Sequence, residues 1–93
     1  MDGFGFDGPP PIKVKIVYCA ACGYEPQTLE LVSALMHTFL YELGSIEIIP
    51  WQDGAFDVVV GDRLVHSMMR DGGFPESETI IEAVRAQLAF ANN

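Results

Sequence analysis

A strand-like run, a helix-like run and a second strand-like run follow one another with little chain between them. Residues 12–18, IKVKIVY, alternate and are rich in β-branched side chains, which suits a strand. Residues 26–43 place Leu29, Val32, Met36, Phe39, Leu40 and Leu43 at helical spacing, and Gly44 suits the C-terminal cap. Leu31, Ala34 and Tyr41 fall off that stripe and are expected on the outer face. SIEIIPW, residues 45–51, is strand-like again. Two strands joined through one helix pair in parallel with a right-handed crossover. AFDVVV and RLVHSM flank Gly61 and Asp62, a two-residue hairpin signal, so the third and fourth strands run antiparallel. RDGGF reads as a loop. Residues 75–91 read as a second helix, with Pro75 in its first turn, Glu76 and Glu78 near its positive end, and a buried stripe of Ile80, Ile81, Val84 and Leu88. The order β-α-β-β-β-α predicts an α/β fold: a thioredoxin-like two-layer sandwich on a mixed four-stranded sheet.

With 93 residues there is room for one core, burying roughly 60–65% of the surface that the unfolded chain exposes. Residues 1–11, with three glycines and three prolines, are expected to be a flexible tail, and residues 12–93 the domain. The net charge of −8 disfavours nucleic acid and anionic lipid as partners. No run reaches the ~18 apolar residues of a membrane helix, and the N-terminus lacks the basic and apolar regions of a secretory signal. The expectation is a cytoplasmic chain.

Both cysteines of the chain lie in Tyr18-Cys19-Ala20-Ala21-Cys22, at the junction of the first strand and the first helix. In a reducing compartment, close cysteines point to redox chemistry or metal more than to a structural disulfide. Backbone N–H groups at a helix N-terminus stabilise an anion, and a thiol there can titrate well below the ordinary ~8.5. The thiolate is the nucleophile of disulfide exchange, and a second thiol two residues away can resolve a mixed disulfide. Against this stand two plainer readings, buried cysteines that only pack and a zinc site. Zinc wants four ligands, and His37 and His66, the remaining candidates in one chain, do not obviously converge on the thiols. No metal and no bound cofactor are therefore expected.

The topology places other loops at the thiol end. The second strand is parallel to the first, the third starts there and the fourth ends there. Tyr18, Trp51, Phe56, Arg70, Gly73 and Phe74 are thus candidates for binding substrate around Cys19 and Cys22, with Met68 and Gly72 beside them. Arg70 is the cation of this group, suited to a thiolate or a carboxylate. The plainer readings are a solvated loop charge for Arg70 and core or loop plugs for Trp51 and Phe74.

The cysteine motif after the first strand, "GAF" at 54–56, Gly61 in the hairpin and "GGFP" at 72–75 together resemble the selenoprotein W/T/H-like family, also called Rdx, over residues 13–90. The resemblance implies a thioredoxin-like fold and thiol–disulfide or thiol–selenol oxidoreductase activity on protein thiols or disulfides, with glutathione as a further partner. Cys19 matches the first cysteine of the family motif, and Cys22 the position held by selenocysteine in some members. The residues alone leave the attacking sulfur open. The resemblance, and a position deeper in the helix's first turn, favour Cys22 as nucleophile and Cys19 as resolver. Pro26 departs from this picture, because a proline limits how early a regular helix can begin. The alternative function is a non-catalytic protein-binding or redox-sensing module. The sequence does not specify an oligomeric state.

Overall fold

The computed structural model describes residues 12–91. The predicted tail, residues 1–11, lies outside them. The elements are β1 (Lys13–Cys19), a 3-10 turn (Ala20–Cys22), α1 (Glu25–Phe39), β2 (Ser45–Trp51), β3 (Phe56–Val60), β4 (Arg63–Ser67), α2 (Met68–Asp71) and α3 (Ser77–Ala91). The sheet order is β2-β1-β3-β4. β1 pairs with β2 in parallel, from Lys13 opposite Ser45 to Cys19 opposite Trp51. It pairs with β3 antiparallel, from Val14 opposite Val60 to Tyr18 opposite Phe56. The mixed four-stranded α/β architecture is the expected one.

One sheet face is covered. Val14 and Ile16 of β1 and Phe56, Val58 and Val60 of β3 are buried there, in one cluster with Leu31, Leu35 and Phe39 of α1 and Ile80, Ile81 and Val84 of α3. The alternate residues Lys13 and Lys15 are exposed, so the burial follows the period-two pleat. Gly61 turns the β3–β4 hairpin with φ +65°, a backbone setting that costs an L residue roughly 1–2 kcal/mol. A Cβ at Gly61 would also sit 2.5 Å from Gln87 Oε1. The Gln87 amide donates to Val60 O at 2.7 Å and ties α3 to the hairpin.

Three sequence expectations change. The buried face of α1 is Thr28, Leu31, Leu35 and Phe39. Leu29, Met36 and Leu40, expected inside, are 55%, 57% and 71% exposed, and Leu31, expected outside, is 3% exposed. The helix carries two overlapping apolar rows at i, i+3 and i+4 spacing, and only the docking of its ends onto the sheet selects between them. Ala34 also packs against the core, whereas Tyr41 is exposed. Second, α1 stops at Phe39, with Leu40 at φ 54° as its cap. Gly44 instead donates its N–H to Ile12 O at 2.8 Å and so starts β2 beside β1.

Third, Met68 leaves the fourth strand and, with Arg70 and Asp71, forms the single turn of α2. The cap is reciprocal: Ser67 Oγ accepts from Arg70 N–H, and Asp71 Oδ2 accepts from Ser67 N–H at 3.0 Å. α3 begins at Ser77, after Pro75.

Candidate functional site

β1 delivers Cys19 to the end of the sheet, where its N–H donates to Ala55 O at 2.8 Å. The chain then takes a 3-10 turn through Ala20, Ala21 and Cys22, and Gly23 reverses it at φ 79°. α1 begins only at Glu25, with Pro26 in its first turn and Tyr24 at its N-cap. Cys22 therefore lies in a separate turn before the helix, not in the helix's first turn as expected. Proline has no N–H to donate, and its ring crowds the turn before it, which sets that boundary.

Cys19 and Cys22 form a disulfide, with Cα atoms 5.4 Å apart. The two sulfurs are not equivalent. Cys19 is 1% exposed, whereas Cys22 is exposed on its turn. An attacking or attacked group from outside meets Cys22.

The expected companions of the thiols divide into two sets. Trp51 lies opposite Cys19 in the β1–β2 ladder and is 58% exposed. Tyr18 lies opposite Phe56 in the β1–β3 ladder. Phe74 closes over this corner, edge-on to Tyr24 at 4.8 Å and to Phe56 at 5.0 Å between ring centroids, a favoured aromatic geometry. Gly73 holds that loop through its carbonyl, 2.8 Å from His66 Nε2. His66 is buried, and its Nδ1 lies 3.7 Å from Asp71 Oδ2. With Nε2–H donating to Gly73, the ring pins the loop to β4.

Arg70 is engaged elsewhere. Its guanidinium donates to both carboxylate oxygens of Asp71 at 2.8 Å, to Val65 O at 2.9 Å and to Leu64 O at 3.4 Å. The β3–β4 register slips between Val58 and Val59, which face His66 and Leu64. Val65 is the extra residue of a β-bulge, and its carbonyl is left for a side chain to satisfy. Arg70 does this on the edge strand. The Arg70 hydrogen bond, and then the Ser67 N–H, lower the Asp71 pKa from 3.8 to about 2.

Tyr24 and His66 complete the corner without having been singled out for it by the sequence. An aromatic two residues after the motif was legible there, but its contact with Phe74 needs the fold. Among the described residues, no group of three or more His, Cys, Asp and Glu side chains gathers as a metal site, and His37 Nδ1 pairs with Ser33 O on exposed α1. No helix of the described residues is long and apolar enough to cross a membrane.

The sequence profile of the Rdx family matches residues 13–86. Selenoprotein W of Mus musculus is 36% identical over 86 residues, covering 84% of this chain and 94% of that protein. Migration and invasion enhancer 1 of Bos taurus is 36% identical over 74 residues, covering 80% of this chain and 63% of that one. The crystal structure of a selenoprotein W-related protein from Vibrio cholerae superposes with a TM-score of 0.79 at 26% identity, covering 84% of this chain and 98% of that one. A protein from Bordetella parapertussis superposes with a TM-score of 0.78 at 27% identity, over 83% and 98%. With the strand order, the paired cysteines and the sequence match all in agreement, the chain belongs to the Rdx family, a thioredoxin-like redox family.

Proposed function

We propose that the chain is a thiol–disulfide oxidoreductase that meets its substrate at Cys22 and resolves through Cys19. The observation that carries this reading is the asymmetry of the pair: Cys22 is exposed, and Cys19 is buried one turn away. In the reduced protein the Cys22 thiolate attacks one sulfur of a partner disulfide. A Cys22–partner disulfide forms, the partner's S–S bond breaks, and its other sulfur leaves as a thiolate that takes a proton. The Cys19 thiolate then attacks Cys22, and the partner leaves as a second thiol. The partner gains two electrons and two protons, and the protein dithiol loses them. A cellular thiol, with glutathione as a candidate, returns the pair to the dithiol by the reverse exchange.

The buried Phe56, paired with Tyr18, supports the corner, Gly73 anchors its loop to His66, and the exposed Trp51 and Phe74 offer surface to the partner chain. The test is capture. Cys19→Ser keeps the reachable sulfur and removes the resolver, so it accumulates a mixed disulfide with a protein or glutathione disulfide. Cys22→Ser captures nothing, because Cys19 is buried. Equal capture by both variants, or by neither, overturns the assignment.

A further inference from the structure

Next to the thiol corner lies a cavity of about 240 Å³ between α1 and the start of α3, lined by Gln27, Glu30, Phe56, Phe74, Glu76 and Ser77 among others. Two of these, Phe56 and Phe74, belong to the aromatic group that reaches Tyr24, two residues from Cys22. The polar lining is rich in acceptors. Glu30 and Glu76 bring carboxylates, and Gln27 a side-chain amide. The walls from Leu31, Phe56, Phe74 and Pro75 are apolar and suit the methylene stem of a long side chain with a charged tip.

The placement of the cations sharpens this. The chain has five, Lys13, Lys15, Arg63, Arg70 and Arg85. Lys13 and Lys15 begin β1 and Arg63 begins β4, all at the pole opposite the thiols. At a strand rise of about 3.3 Å per residue, Lys15 lies about 13 Å from Cys19 and Lys13 about 20 Å, beyond the screening length of about 8 Å at physiological salt. Arg70 is bound to Asp71, and Arg85 to Glu82 and Glu78. The thiol pole thus faces a partner with Glu25, Glu30, Asp53 and Glu76, and among the described residues no Lys or Arg pairs with these four.

We propose that this cavity receives a lysine or arginine side chain of the protein segment whose cysteine reacts at Cys22. The favoured substrate is a basic protein disulfide, which reacts faster than an acidic protein disulfide. The inference rests on the exchange reading above and names its substrate class.

The experiment uses reduced full-length protein and symmetric disulfides of a short Gly/Ser peptide. Each peptide carries one cysteine and, two residues away, lysine, norleucine or glutamate. The expected second-order rates fall in the order lysine, norleucine, glutamate. The outer two differ by about tenfold at low ionic strength, and the difference narrows with added salt. Glu30→Gln with Glu76→Gln, both at exposed positions, brings the lysine and glutamate rates close together. Glu42→Gln with Glu47→Gln removes the same charge away from the cavity and keeps the preference. Equal rates for all three peptides overturn the cavity proposal and leave the exchange reading standing. A lysine preference undiminished in Glu30→Gln/Glu76→Gln also overturns it, because the preference then comes from net charge. No reaction with any peptide removes the exchange reading and this proposal together.

Discussion

Asp71 shows how one residue sets a pH dependence. Its folded-state pKa lies near 2, below the ordinary 3.8, because Arg70 and the Ser67 N–H hold the carboxylate. A depressed carboxyl stabilises the fold fully above its unfolded pKa and loses that contribution as pH falls through the folded value. The stability difference between wild type and Asp71→Asn is therefore expected to be constant above about pH 5 and to close as pH approaches 2, in thermal unfolding followed across that range. The pair is solvent-exposed, so the difference also shrinks with salt. Gly61 is a second case. Gly61→Ala meets both the left-handed backbone and the Gln87 carboxamide, and denaturant unfolding should show a loss of about 1–3 kcal/mol. A loss below about 0.5 kcal/mol would mean that the hairpin tolerates another turn there.

Two predictions belong to the elements. The rotation of α1 is tested by adjacent residues. Leu35 is fully buried and Met36 is 57% exposed, so Leu35→Ala should cost about 2–5 kcal/mol and Met36→Ala less than about 0.5. Equal costs would mean that both apolar rows are covered. The loop before α3 is held by Phe74, which is partly exposed and packs edge-on against two rings. Phe74→Ala should cost about 1–2 kcal/mol through lost aromatic packing. It should also slow exchange more than it weakens the fold, read as rate and stability measured on the same preparation. α2 carries a lesson about strand ends. Ser67 and Asp71 stand one residue further apart than a capping box requires, and RDGG reads as a loop because one turn of helix is marginal alone. The Arg70 bond to the bulged Val65 carbonyl supplies the missing support, and a bulge is visible only once β3 and β4 are paired.

For the molecule as a whole, the disulfide closes a very short loop, so its effect on global stability is limited. A four-residue loop corresponds to about 2 kcal/mol in the chain-entropy account. Reduction should therefore lower the unfolding free energy by no more than about that amount and leave the fold intact, as chemical denaturation with and without reductant will show. A protein that unfolds on reduction would carry a structural bridge rather than one built to cycle. Apart from the 3-10 turn and α2, the amino-acid pattern was enough for the order of elements, the parallel crossover, the hairpin at Gly61 and the place of the thiols between strand and helix. These follow from local period, turn chemistry and chain connectivity, which neighbouring residues carry. Tertiary structure alone decided which row of α1 is buried, which sulfur is reachable, where Arg70 spends its charge and that Gln27, Glu30 and Glu76 share a cavity. Those outcomes depend on contacts between residues far apart in the chain: Cys19 is buried where β1 pairs with β2, the sheet selects Leu35 over Met36, and the bulge at Val65 draws in Arg70.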